Sequence, residues 1–139
     1  MWTGGGMGDP KRILHVDDDE DILQIVQLSL GLLGGFMLLQ CASGAEAIAR
    51  AEAFEPDLIL MDFMMPGLNG AETLAELRKI GKLAEVPAIF MTAKNPNGDF
   101  DSAARAAVIG NITKPFDAME LPNQVLEIWH KHAAMQAQG

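Results

Sequence analysis

Five short apolar runs alternate with helix-like segments, and no other feature of the chain narrows its fold so far. The runs are Ile13 to Val16, Phe36 to Cys41, Leu58 to Met61, Ala88 to Met91 and Ile109 to Ile112. Nearly continuous apolar character over so few residues is the pattern of a strand covered on both faces. Parallel strands need long crossovers, and the intervening segments supply them as helices.

The helical segments carry their own start signals. Ser43 with Glu46, Asn69 with Glu72, and Asp117 with Glu120 each place a capping residue three positions before an acid. In the first helical segment Ile22, Val26, Leu30 and Leu33 recur at helical spacing as one buried stripe, which Gly34-Gly35 ends. Gly98 to Val108, mostly Ala and polar residues, reads as a short fourth helix. Leu121, Val125, Ile128 and Trp129 form the stripe of the fifth. Pro122 conflicts with a start at Asp117, where it would fall beyond the first turn, but fits a helix that begins at Leu121.

Five strands and five helices in strict alternation predict an α/β fold: a doubly wound five-stranded parallel sheet between two helical layers, a three-layer sandwich. Residues 11–132 form this domain, after a glycine-rich flexible leader or expression remnant over 1–10 and before a polar, frayed tail over 133–139. Apolar runs break well short of the roughly 20 residues a membrane span needs, which predicts a cytoplasmic protein without membrane contact. Cys41 is the single cysteine and reads as a buried, inert thiol. A formal charge of −9 with no basic patch argues against direct nucleic-acid binding.

Ligands of a doubly wound sheet sit beyond the carboxyl ends of its strands. Asp17 and Asp18 follow the first strand, Asp62 the third, Thr92 the fourth and Lys114 the fifth. Three carboxylates gathered there repel one another by several kcal/mol at an effective dielectric near ~20, so positive charge belongs among them. Mg²⁺ suits such a site: it binds oxygen, keeps waters and takes one or two carboxylates while leaving positions for phosphate oxygens. Lys114 adds a second counter-charge and Thr92 a neutral hydroxyl donor. In this setting Asp62 is the natural nucleophile toward phosphorus, giving a hydrolysable acyl phosphate.

Four stretches carry a resemblance to a known family: Ile13 to Asp21 (ILHVDDDED), Pro56 to Gly70 (PDLILMDFMMPGLNG), Pro87 to Ala93 (PAIFMTA) and Ile112 to Phe116 (ITKPF). Over roughly residues 11–132 the chain resembles a receiver domain of the response-regulator family, most nearly the single-domain chemotaxis type. The resemblance implies a flavodoxin-like strand order 2-1-3-4-5. It implies Asp17 and Asp18 as the acidic pair that binds Mg²⁺, with Asp62 and the backbone carbonyl of Met64. It further implies Asp62 as phosphoacceptor, Thr92 as switch hydroxyl, Lys114 as phosphoryl-binding lysine and a cis peptide before Pro115. The phosphodonor would be a histidine kinase or a histidine phosphotransfer protein. With the chain ending soon after the fifth helix, output is expected through a bound downstream protein rather than an attached domain.

The family usually carries an aromatic residue three positions before the lysine; here that position is Asn111. A small amide gains little from moving between solvent and an apolar pocket, so Asn111 is expected to bias the switch weakly and Thr92 to carry it. His15, within the first strand, reads as a core histidine rather than a phosphoacceptor, and His130 and His132 as helix-end residues. Met61, Met64 and Met65 read as packing, and Asp19 as a helix cap. Two alternatives use the same residue types. One is a haloacid-dehalogenase-like phosphatase with Asp17 as nucleophile and Asp19 as acid/base; the other is a phosphorylation-independent scaffold on a receiver fold.

Overall fold

The computed structural model describes residues 8–93 and 105–138. Its strands are β1 (Arg12–Val16), β2 (Met37–Cys41), β3 (Leu58–Asp62), β4 (Ala88–Ala93) and β5 (Gly110–Lys114). All pair in parallel in the order β2-β1-β3-β4-β5. The α-helices are α1 (Glu20–Val26), α2 (Gly44–Phe54), α3 (Gly70–Arg78) and α4 (Leu121–Gln138). The short helix expected over Gly98 to Val108 lies mostly outside the described residues.

Alternation along each strand divides the core in two. Leu14, Val16, Ile59, Met61 and Phe90 pack with α2 and α3 residues such as Ala47, Leu74 and Leu77. Ile13, Leu58, Leu60, Ile89, Met91 and Ile112 pack on the other face with Val26, Leu30, Leu121, Val125 and Trp129. Every residue of β3 is buried, as its unbroken apolar run requires, and each such aliphatic side chain contributes roughly 1.5–3 kcal/mol on leaving water.

Two caps form as the sequence suggests. Ser43 accepts the N–H of Glu46, and Asn69 and Glu72 form a reciprocal capping box. The last helix takes the later of its two possible starts: Asp117 closes a turn, accepting the N–H of Met119, and α4 begins at Leu121 with Pro122 in its first turn, where a missing N–H costs nothing.

Three segments differ from the sequence reading. After Val26 the first helix changes to π winding over Gln27–Leu33, and each bond then spans five residues instead of four. The wider turn buries Ser29 and Leu30 together and carries Leu33, expected in the stripe, out to 56% exposure. Ser29 Oγ donates to the carbonyl of Ala118 across the layer. Gly35, at φ +75°, then reverses the chain so that the N–H of Phe36 reaches the carbonyl of Leu30 at 3.0 Å. The last residues of the glycine-rich leader are docked: Pro10 is buried, the carbonyl of Gly8 accepts from Trp129 Nε1 at 3.0 Å, and Asp9 lies 2.6 Å from His130. At the other end α4 runs on to Gln138, past Ala133 where fraying was expected.

His15 lies fully buried on the α1 and α4 side of β1. Its Nδ1 is 3.1 Å from Gln40 Nε2, Gln40 also donates to the carbonyl of Leu23, and Nε2 has no partner. Burial, aided by the charge of Lys114, drives its pKa down to about 3. The unfolded chain therefore binds a proton near pH 6.5 that the folded chain refuses. Stability from this residue is complete above pH 6.5 and falls as the pH drops toward 3. His15→Leu should become more stable relative to wild type on going from pH 7 to pH 4, by about 3 kcal/mol. Urea unfolding of both proteins across that range checks this, and a pH-independent difference would contradict it.

Candidate functional site

Register brings the site together. Val16 pairs with Met61, so the residues that follow, Asp17 and Asp62, emerge side by side. Met91 pairs with Asp62 on one side of β4, and Thr92 and Ala93 pair with Thr113 and Lys114 on the other. Four sequence-distant groups, Asp17, Asp62, Thr92 and Lys114, thus share one end of the sheet, where a doubly wound fold leaves room for a ligand.

Asp17 is fully buried and Asp62 nearly so, whereas Asp18 is exposed. One oxygen from each of the three carboxylates lies within 4.8 Å of the others. Lys114 Nζ is 2.8 Å from Asp17 Oδ2 and 3.3 Å from Asp62 Oδ1. Asp17 Oδ1 also accepts the N–H of Asp19, and Asp19 in turn caps α1 by accepting from Asp21. The acidic run therefore splits into two roles, with Asp17 and Asp18 facing the site while Asp19 fixes the helix behind it.

Burial first, and the charge of Asp17 second, push the Asp62 carboxyl up to about 6, against the pull of Lys114 and a hydrogen bond from the backbone N–H of Met64. Burial also works against the charge on Lys114, yet its bond to Asp17 and the charges of Asp17 and Asp62 hold its pKa above the usual value. Three carboxylates against one ammonium leave excess negative charge, and the donors are all oxygen with one side open to water. Such a set fits a hard dication that retains waters. It does not fit a soft metal, and the exposed side chain of Met64 is no part of the cluster.

The loop after β3 closes on the site through Gly70. Its N–H donates to the carbonyl of Phe63 at 2.8 Å, and a Cβ there would fall 2.6 Å from the carbonyl oxygen of Asp62. Only glycine lets α3 start this close to the strand end that presents Asp62. The peptide joining Lys114 to Pro115 is cis.

Thr92 is buried at the end of β4, and its Oγ1 accepts from Asn111 Nδ2 at 3.2 Å. Sequence reasoning treats the two positions as nearly independent; the structure joins them.

Residues 13–126 match the family model described as response regulator receiver domain. The chain belongs to the response-regulator receiver family. As a receiver it is 34% identical over 120 residues to a probable transcriptional regulator, ycf29, of Porphyra purpurea, covering 86% of this chain and 57% of the relative. It is likewise 34% identical over 118 residues to the alkaline phosphatase synthesis transcriptional regulatory protein PhoP of Bacillus subtilis, covering 85% of this chain and 48% of the relative. The chain thus spans about half the length of the curated relatives it matches.

Among solved structures, this receiver resembles chemotaxis protein CheY4 of Vibrio cholerae at 27% identity and TM-score 0.74, covering 85% of this chain and 98% of that one. It resembles the receiver domain of sensor histidine kinase PA1611 of Pseudomonas aeruginosa at 31% identity and TM-score 0.75, covering 86% of this chain and 96% of that one. The PA1611 receiver holds a magnesium ion in its active site cleft. Among the described residues no helix is long and apolar enough to cross a membrane.

Proposed function

We propose that this receiver takes a phosphoryl group onto Asp62 from a phosphohistidine of a histidine kinase or phosphotransfer protein, and signals through the partner that recognises the phosphorylated form. The observation that carries the reading is the cluster itself: a carboxylate held at the end of the central strand, flanked by two more and bridged by one lysine. An Asp62 oxygen attacks phosphorus, the phosphorus–nitrogen bond to the donor breaks, and the imidazole leaves with a proton. Lys114 pairs with the oxygens of the transferring group, and Asp17, its present partner, keeps the ammonium charged and aimed.

Asp17, Asp18, Asp62 and the backbone carbonyl of Met64 would hold Mg²⁺, which supplies charge neutralisation at the transferring oxygens. The magnesium ion of the PA1611 receiver and the oxygen-only donor set support this assignment. We place the protein in the cytoplasm, where such donors and ATP-driven kinases operate. The phosphatase alternative is disfavoured because Asp17, its nucleophile, is enclosed with both oxygens engaged.

The test is incubation with acetyl phosphate and Mg²⁺, followed by peptide mapping. A single acid-stable, base-labile phosphoryl group at Asp62, absent when the metal is chelated before incubation, is expected. Label at Asp17, or turnover of a small phosphomonoester, would replace this reading with the phosphatase.

A further inference from the structure

From the Asn111–Thr92 hydrogen bond we infer that Asn111 is a latch on the switch hydroxyl: it holds Thr92 on the β5 side of β4, away from Asp62, until a phosphoryl group draws the hydroxyl across. The inference rests on the phosphoacceptor assignment of Asp62.

Strand order and register give the direction. β4 lies between β3 and β5, with Asp62 opposite Met91 on the β3 side and Asn111 opposite Phe90 on the β5 side. Residues two apart on a strand share a face, so Asn111 is the diagonal neighbour of Thr92. Its amide donates to Thr92 Oγ1 at 3.2 Å, which commits one lone pair of the hydroxyl and leans it toward β5. A phosphoryl group on Asp62 asks the same hydroxyl to donate in the opposite direction, toward β3. A hydroxyl can accept and donate at once, so the Asn111 bond opposes only the movement of Thr92 toward β3 and breaks when the side chain crosses to the phosphoryl group.

An aromatic residue at this position would couple to the hydroxyl by filling or vacating space. Asn111 is exposed and too small for that, but its amide is a donor, and a donor couples through a bond made in only one of the two states. A neutral hydrogen bond of this kind has a net worth of roughly 0.5–1.5 kcal/mol, which is about a 2- to 10-fold bias toward the unphosphorylated arrangement. Asn111 also lines the groove between β5 and α4, with Val108, Ile109, Ile128, His132 and Met135. Breaking the bond therefore alters a surface that a partner can touch.

Binding of beryllofluoride with Mg²⁺, a phosphoryl mimic for Asp62, tests the latch in wild type, Asn111→Ala, Asn111→Leu, Thr92→Ala and the Asn111→Ala/Thr92→Ala pair. Both Asn111 variants should bind the mimic about 2- to 10-fold more tightly than wild type. The gain should vanish when Thr92 is already Ala. In the protein without mimic, the side-chain amide signals of Asn111 should shift on Thr92→Ala. Unchanged affinity in both Asn111 variants, an equal gain with and without Thr92, or amide signals indifferent to Thr92 would each overturn the latch while leaving Asp62 as phosphoacceptor. Failure of the wild type to bind the mimic would overturn the Asp62 assignment, and the latch with it.

Discussion

Asp62→Asn is expected to take no label from acetyl phosphate and Mg²⁺, and to be more stable than wild type when metal is absent. An amide cannot form the acyl phosphate, so the first effect is complete rather than partial. The second follows from electrostatics. Burial and the neighbouring Asp17 raise the Asp62 pKa from the usual 3.8 to about 6. A folded pKa above the unfolded one means that stability is fully present below pH 3.8 and is lost as the pH rises through 6. The Asn variant escapes that loss. Its advantage should be small at pH 4, grow toward pH 6 and level off above it at about 3 kcal/mol. Saturating Mg²⁺ should shrink or reverse it, because the metal stabilises only the carboxylate. Denaturant unfolding at several pH values, with and without Mg²⁺, reads both trends. Residual labelling of the variant would move the phosphoacceptor elsewhere, and an advantage that is greatest at pH 4 would refute the electrostatic account.

The second large effect is expected at Lys114. Its ammonium is the cation bonded to the fully buried Asp17 and to Asp62. Lys114→Met keeps the apolar stem and removes the charge, which strands two buried carboxylates. Breaking a buried ion pair from one side costs about 3–5 kcal/mol, and the partial exposure of Lys114 places the loss near the lower end. Added Mg²⁺ should restore a larger share of stability in this variant than in wild type, since it replaces the missing positive charge. Thermal unfolding with and without the metal measures the difference. Equal Mg²⁺ stabilisation of the two proteins would mean that the cation site is not where the carboxylates are.

The site was legible because its chemistry is written at strand ends. Asp17, Asp62, Thr92 and Lys114 each follow an apolar run, and parallel topology forces those ends to one edge of the sheet. Strand register then aligns them, needing no information beyond the period and the crossovers. Three features were not legible in the same way. Nothing in Gln27–Leu33 marks π winding, because the same leucines satisfy a four-residue or a five-residue bond, and Leu33 leaves the expected face for that reason. The leader looks unable to pack because its glycines offer no side chains, yet its docking uses a backbone carbonyl and a buried proline. The Asn111–Thr92 bond depends on the register of β4 against β5, a relation between residues 19 apart that spacing along one strand does not express. Position alone marks Asn111 as a weakened hydrophobic switch; only the register reveals it as a donor.

The bond between Trp129 and the carbonyl of Gly8 gives the chain a built-in optical reporter. Trp129 is 5% exposed and sits where the leader crosses the final helix. With Trp2 changed to Phe it is the single remaining indole. Emission colour and quenching by iodide then follow whether the leader is seated, in real time and without an added dye.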